Sequence, residues 1–345
     1  LALQDGKVVA VGEEITGEAK RTVDATGKLV IPGIIDMHTH MLTIKGHPHA
    51  QRMLALAGVC TTLDMAGPLD NIVKTIPTSG AGVNIAILEA AKAGLTITCE
   101  NPDRAEQAAL IERTLERGGI GVKMLGGHYP MDPEICANFI DEAEKLHSWI
   151  GWHAGDAKDG SNIKGMRNAI EAARGKFLHL AHINSYCRGQ VSDGITESLE
   201  AIEMLKANPN IFSESYLSDL NGTMLTCKDG VPASKVTATC LKKVGCTPDE
   251  AGIRQAILTG RLGVCCDDGV IGKLAYGEEG VHYWETHQES SGSFSVNPAD
   301  SRFLVAKAKR DDGSFVVDCF STDGGRYPRN VIVQKGLLLV KFGAL

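Results

Sequence analysis

With 345 residues, 43% hydrophobic and 22% charged, the chain has the apolar content to build one large soluble core. Its formal net charge of −7 is spread without a basic block, which argues against nucleic acid and anionic membrane surfaces as partners. Ten cysteines include no Cys-x-x-Cys pair, so reduced thiols and a cytoplasmic location are expected. The first residues lack a charged-then-apolar leader, and no apolar run approaches the roughly 20 residues that span a bilayer.

Residues 1–31 alternate short apolar runs with turns, at 7–11, 22–26 and 29–31. They read as the N-terminal part of a small β-domain. From residue 32 to 345 the pattern becomes strand, loop, amphipathic helix. Strands are expected at 34–40, 58–65, 83–88, 95–99, 120–125, 149–153, 177–182, 211–216 and 314–320. Helices are expected at 51–57, 106–117, 134–147, 164–174, 197–207 and 331–342, with 89–92 helix-prone. This alternation implies an α/β fold with a parallel sheet. A long insertion, rich in glycine and charge, interrupts it at about 222–314.

The chemistry-bearing residues fall at strand ends. His38 and His40 stand at i and i+2 of an apolar strand, so both imidazoles face one side and offer half of a divalent-metal site. Lys123 lies inside Ile-Gly-Val-Lys-Met-Leu, where burial lowers an amine's pKa. Its neutral amine can add carbon dioxide to form a carbamate, an anionic ligand able to bridge two metals. His153 and His182 end two further strands, and Asp323 follows the last one, before Gly-Gly. Chemistry gathered at successive strand ends favours a (β/α)8 barrel over a doubly wound sheet. Other residues carry weaker signals. His179 is expected to point away from His182. His47-Pro-His49 reads as a loop pair, His282 and His287 as lid or surface residues, and Cys265-Cys266 as buried core.

The run from Val23 to His40, with the ordered set His38/His40, Lys123, His153, His182 and Asp323, closely resembles the amidohydrolase superfamily. Within it, the two-metal subgroup of dihydroorotases, hydantoinases and N-acyl amino acid hydrolases is the nearest likeness. The resemblance implies a TIM-type barrel with a small β-sandwich domain formed at least partly by the N-terminus. It further implies an enzyme that hydrolyses a C–N amide bond, cyclic or N-acyl. His38, His40 and Asp323 would bind one metal, His153 and His182 a second, with carbamylated Lys123 between them. A bridging hydroxide would attack the amide carbonyl, and Asp323 would serve as general base and then acid. Zinc is the expected ion, with manganese, nickel and iron also compatible. Tyr129 resembles an oxyanion-donating tyrosine of hydantoinases, although His128 sits at that exact offset from Lys123; both are candidates for substrate binding. A homo-oligomer, dimer or tetramer, is the expected assembly.

Two rivals stand beside this reading. His153-Ala-Gly-Asp156 resembles the His-Ala-Gly-Glu signature of mononuclear deaminases in the same superfamily, one methylene short. A barrel that has lost catalysis and serves in binding or assembly is the other. Two metals with a modified lysine, one metal with a free lysine, or no metal separate the three.

Overall fold

A computed structural model describes residues 1–41, 49–267, 271–287 and 289–345, without the side chains of Ser79 and Asp267. It divides into two compact units, Leu1–Pro32 and Gly33–Leu345.

In the first unit β1 (Ala2–Gln4) and β2 (Lys7–Ala10) form an antiparallel hairpin. Asp5 and Gly6 join them at φ 51° and 76°, the positive values that a tight two-residue hairpin turn requires. The strands expected at 22–26 and 29–31 do not form. Ladder hydrogen bonds need a neighbouring strand edge, and Leu29 and Val30 remain 79% and 61% exposed. A β-sandwich is therefore not built from these residues alone.

The second unit is an α/β barrel. Its parallel strands are β3 (Ile34–His40), β4 (Val59–Ala66), β5 (Asn84–Ala91), β6 (Gly121–Leu125), β7 (Trp149–His153), β8 (Leu178–Leu180) and β9 (Ile211–Tyr216). A later segment completes the sheet at both edges: β16 (Cys319–Ser321) pairs with β9, and β17 (Gly324–Gly325) pairs with β3. Only Thr322 and Asp323 separate these halves, so one span joins the two edges of the sheet. Asp36 clasps this join, accepting from the Thr322 hydroxyl at 2.5 Å and the Thr322 and His38 backbone nitrogens at 3.2 and 3.1 Å.

Helices pack outside the sheet: α1 (His49–Leu56), α2 (Leu69–Ser79), α3 (Arg104–Glu116), α4 (Pro133–Lys145), α5 (Ile163–Ala173) and α6 (Gly194–Ala207). Asp103, Asn162 and Asp193 cap α3, α5 and α6 by accepting first-turn backbone N–H groups. Leu110, Ile111, Phe139, Ile140, Met166 and Leu205 seal the helices onto the strands. Each such side chain contributes about 1.5–3 kcal/mol by burial.

Three local expectations change; of the strand expected at 314–320 only Cys319 and Phe320 enter β16. The helix-prone 89–92 is mostly strand, because Glu89–Ala91 continue β5 between β4 and β6, where sheet pairing overrides alanine's helical preference. Residues 95–99 supply only an isolated bridge, Ala93 to Ile97.

The insertion is a folded excursion. A four-stranded antiparallel sheet takes the order β10 (Leu220–Met224), β15 (Ser291–Ser295), β13 (Leu262–Asp267), β14 (Gly272–Ala275). A short ribbon, β11 (Cys227–Lys228) with β12 (Val231–Pro232), and helices α7 (Lys235–Lys243), α8 (Glu250–Leu258) and α9 (Gly277–Thr286) complete it. Leu225, Leu241, Ile253, Ile257, Val264 and Phe294 form its own core. Next, α10 (Ala299–Lys307) returns to the barrel, since Val305 belongs to the barrel's main core. A final helix, α11 (Ile332–Lys341), falls within the expected 331–342. Among the described residues no helix is long and apolar enough to cross a membrane.

Candidate metal centre

The eight residues singled out by sequence, His38, His40, Lys123, His128, Tyr129, His153, His182 and Asp323, all line one cleft of about 450 Å³. It opens at the ends of the barrel strands, where β3, β6 and β7 deliver His40, Lys123 and His153.

His38 and His40 leave β3 on the same side. Asp323 Oδ1 lies 2.8 Å from His40 Nε2 and 3.5 Å from His38 Nε2. These three donors lie within 4.8 Å of one another. His153 Nδ1 and His182 Nε2 stand 3.2 Å apart, with the His182 ring stacked on that of His38 at 5.3 Å. Lys123 Nζ lies 3.0 Å from His38 Nε2. His182 (φ 38°) and Asp323 (φ 48°) both occupy the left-handed region, unusual for residues with side chains, and each turns its side chain in just past a strand.

Each of three imidazoles has its other nitrogen tied down. Glu214 Oε1 holds His38 Nδ1 at 2.6 Å, Ser185 Oγ holds His182 Nδ1 at 2.6 Å, and Ser161 Oγ holds His153 Nε2 at 3.0 Å. Such partners fix ring orientation and leave the inward nitrogen free to donate its lone pair. Burial, above all, pushes His38, His153 and His182 well below the ordinary imidazole range, which keeps them neutral as metal ligation demands.

Burial also lowers Lys123 to about 8, against the pull of Asp323, Glu214 and Asp64. Asp323 moves the other way. Burial alone would raise its carboxyl, but the Arg329 guanidinium, His38 and His40 hold it well below the usual carboxylate range. Arg329 Nη2 lies 2.8 Å from Asp323 Oδ2, and Arg329 Nε donates to the Asp323 carbonyl at 2.6 Å. His38, His40 and Asp323 form a donor group whose chemistry fits a divalent cation.

No protein-family model matches the chain. It is 30% identical over 159 residues to the dihydroorotase of Streptococcus pneumoniae serotype 4, a match covering 45% of this chain and 37% of that one. It is 34% identical over 122 residues to the allantoinase of Salmonella paratyphi B, covering 34% and 24%. These relatives are members of the amidohydrolase superfamily. The chain's matches span less than half the length of these curated relatives. The N-acyl-D-glutamate deacylase of Bordetella bronchiseptica, solved with zinc and a phosphonate inhibitor, shares the fold at a TM-score of 0.61 and 12% identity, covering 93% of this chain and 73% of that one.

Within the barrel the remaining candidates separate. Asp156 lines the cleft, yet its carboxylate is committed to its own loop. It accepts from the Lys158 and Asp159 backbone nitrogens at 2.9 and 2.8 Å and from Asn168 at 2.8 Å. The deaminase-like role for Asp156 therefore lacks a free acid. His128 is pushed down to about 4 by burial and by Lys123, and its ring meets His153 edge-on at 5.8 Å. His179 lies outside the cleft lining and accepts a hydrogen bond from Trp149 Nε1 at 3.1 Å. His282 and His287 sit on or just after α9, away from the cleft, and His287 stacks on Tyr283. His47 and Pro48 lie outside the described residues; His49 is buried at the start of α1. Sequence reasoning missed Glu214, Ser161, Ser185, Arg329 and Arg188. Only Glu214 left a trace, as a carboxylate within an otherwise barrel-like strand.

Proposed function

We propose that the chain is a metal-dependent hydrolase that cleaves a C–N amide bond of a cyclic amide or an N-acyl amino acid. The observation that carries this reading is the convergence of four imidazoles, Lys123 and Asp323 on one cleft. His38, His40 and Asp323 would hold one divalent ion, zinc by preference, and His153 with His182 a second. Lys123, its pKa lowered to about 8, is more readily deprotonated than an ordinary lysine and would add carbon dioxide and lose a proton to become a carbamate ligand. When bound, a divalent ion would supply Lewis acidity, towards water and the carbonyl of the scissile amide.

The chain's own groups supply the rest. Asp323 Oδ1 faces the imidazole pair while Arg329 occupies its other oxygen, so Oδ1 is the atom suited to accept the proton from water and return it to the leaving nitrogen. His128 and Tyr129 border the space left for the amide. All ten cysteines are free, in keeping with a reducing cytoplasmic setting. We read residues 1–31 as part of a small β-domain, and the assembly as a homo-oligomer.

A hydrolysis screen of N-acyl amino acids and cyclic ureides, with zinc or manganese added, tests the proposal. Turnover of at least one class, falling by about 10²- to 10⁴-fold in Asp323→Asn, is expected. Turnover that survives this substitution would remove Asp323 from its role, and no turnover in either class would remove the proposal.

A further inference from the structure

We propose that Arg188 is an anion-binding residue, and that the cleft takes amides bearing a carboxylate rather than neutral ureides. This inference rests on the hydrolase reading and narrows its substrate class.

Arg188 lines the same cleft as the candidate ligands. Its guanidinium is held in a fixed orientation by neutral acceptors. Nε donates to Asn297 Oδ1 at 2.7 Å, and Nη2 donates to the Tyr216 hydroxyl and to Asn221 Oδ1, both at 2.7 Å. Among the described residues Nη1 has no acceptor, and no carboxylate lies within ion-pair distance of Arg188. A partly buried guanidinium surrounded by neutral groups carries uncompensated charge, which an incoming carboxylate would neutralise.

The backbone beneath it is equally fixed. Glu197, fully buried, accepts from the backbone nitrogens of Gly189, Gln190, Val191 and Ser192 at 2.7 to 3.1 Å. Lys243 Nζ donates to the Arg188 carbonyl. The loop is therefore cinched from both sides, and the side chain is presented without much further loss of freedom.

Location links this charge to the reaction. Tyr216, whose hydroxyl accepts from Arg188, packs its ring 6.0 Å from that of His182. The two acids of the cleft cannot answer Arg188, because Asp156 is tied to its own loop and Asp323 to Arg329 and His40. In an N-acyl amino acid a single carbon separates the carboxylate from the amide nitrogen. Such a substrate can therefore reach a cation beside the reacting carbonyl. Met224 and Val236 add apolar wall from the excursion, suited to an uncharged side chain or acyl group.

The test compares N-acetyl amino acids, in both enantiomers, with their α-carboxamides. The rates are followed by release of the free α-amine in wild type, Arg188→Met and Arg188→Lys. Wild type should prefer the acids by about 10- to 100-fold in kcat/KM, chiefly through KM. That acid-to-amide ratio should collapse in Arg188→Met and recover in part in Arg188→Lys. A wild-type ratio near one overturns the inference while leaving the hydrolase reading intact, and needs no variant to fold. If neither series is hydrolysed, the N-acyl branch of the hydrolase reading fails, and calorimetry with N-acetylleucine then decides the inference. Binding lost in Arg188→Met supports it; equal binding, or none to wild type, overturns it.

Discussion

Glu214 Oε1 lies 2.6 Å from His38 Nδ1 and 2.7 Å from the backbone nitrogen of His182, so one buried carboxylate fixes candidate ligands from two different segments. Its second oxygen accepts from Ser321, on the strand that leads to Asp323. Glu214 thus ties together three of the segments that carry donors. We expect Glu214→Gln to weaken divalent-metal binding by about 10- to 100-fold, as measured by competition with a chromophoric chelator. Unchanged affinity would show that His38 needs no such partner.

Lys123 should behave as more than a structural amine. Protein exchanged into ¹³C-bicarbonate should give a carbamate carbon resonance in NMR spectra, absent from Lys123→Ala. The variant should also bind less metal while keeping its circular dichroism. A wild-type spectrum without that resonance would leave Lys123 as a free ammonium or amine.

Gly127 lies directly over His153. A Cβ there would collide with the imidazole ring. Gly127→Ala should therefore turn His153 away from Ser161 and weaken the His153/His182 pair without disturbing His38 and His40. Metal titration should show one class of site weakened by at least about tenfold and the other retained. Two unaltered sites would contradict the placement of His153.

Asp141 provides a pH test remote from the cleft. It joins three helical regions, through Lys176 Nζ at 2.7 Å and Arg104 Nη2 at 2.9 Å. Burial favours its neutral form, but these two cations outweigh that and lower its pKa. A carboxyl more acidic when folded than unfolded contributes stability above its unfolded value, near roughly pH 4, and loses it as pH falls through the folded value. Asp141→Asn should cost about 1 kcal/mol at neutral pH, and the gap in melting temperature should close as the pH falls through the lowered folded-state value. A gap independent of pH would assign the loss to packing.

The strand-end residues were legible because each closes an apolar run, and strand alternation turns such positions to the barrel mouth. Asp323 was legible for the same reason. Glu214 was not, because Ile-Phe-Ser-Glu-Ser-Tyr shows a carboxylate in a strand but not the imidazole it meets from β3. Arg188 and Arg329 lie in loops whose directions are set by long-range contacts, with Asn297 and Asp323 respectively. The excursion after β9 read as loop because its strands are short and its helices run only nine or ten residues. Their apolar faces make sense only once packed on one another. Conversely, residues 22–31 have strand-like composition but no ladder partner, and composition alone cannot supply one.

The most direct measurement is the divalent-metal content of purified protein, by mass spectrometry, in wild type and Lys123→Ala. A two-metal centre bridged through Lys123 predicts about two ions per chain, falling to one or fewer in the variant. A single ion per chain, retained in full by Lys123→Ala, would contradict it.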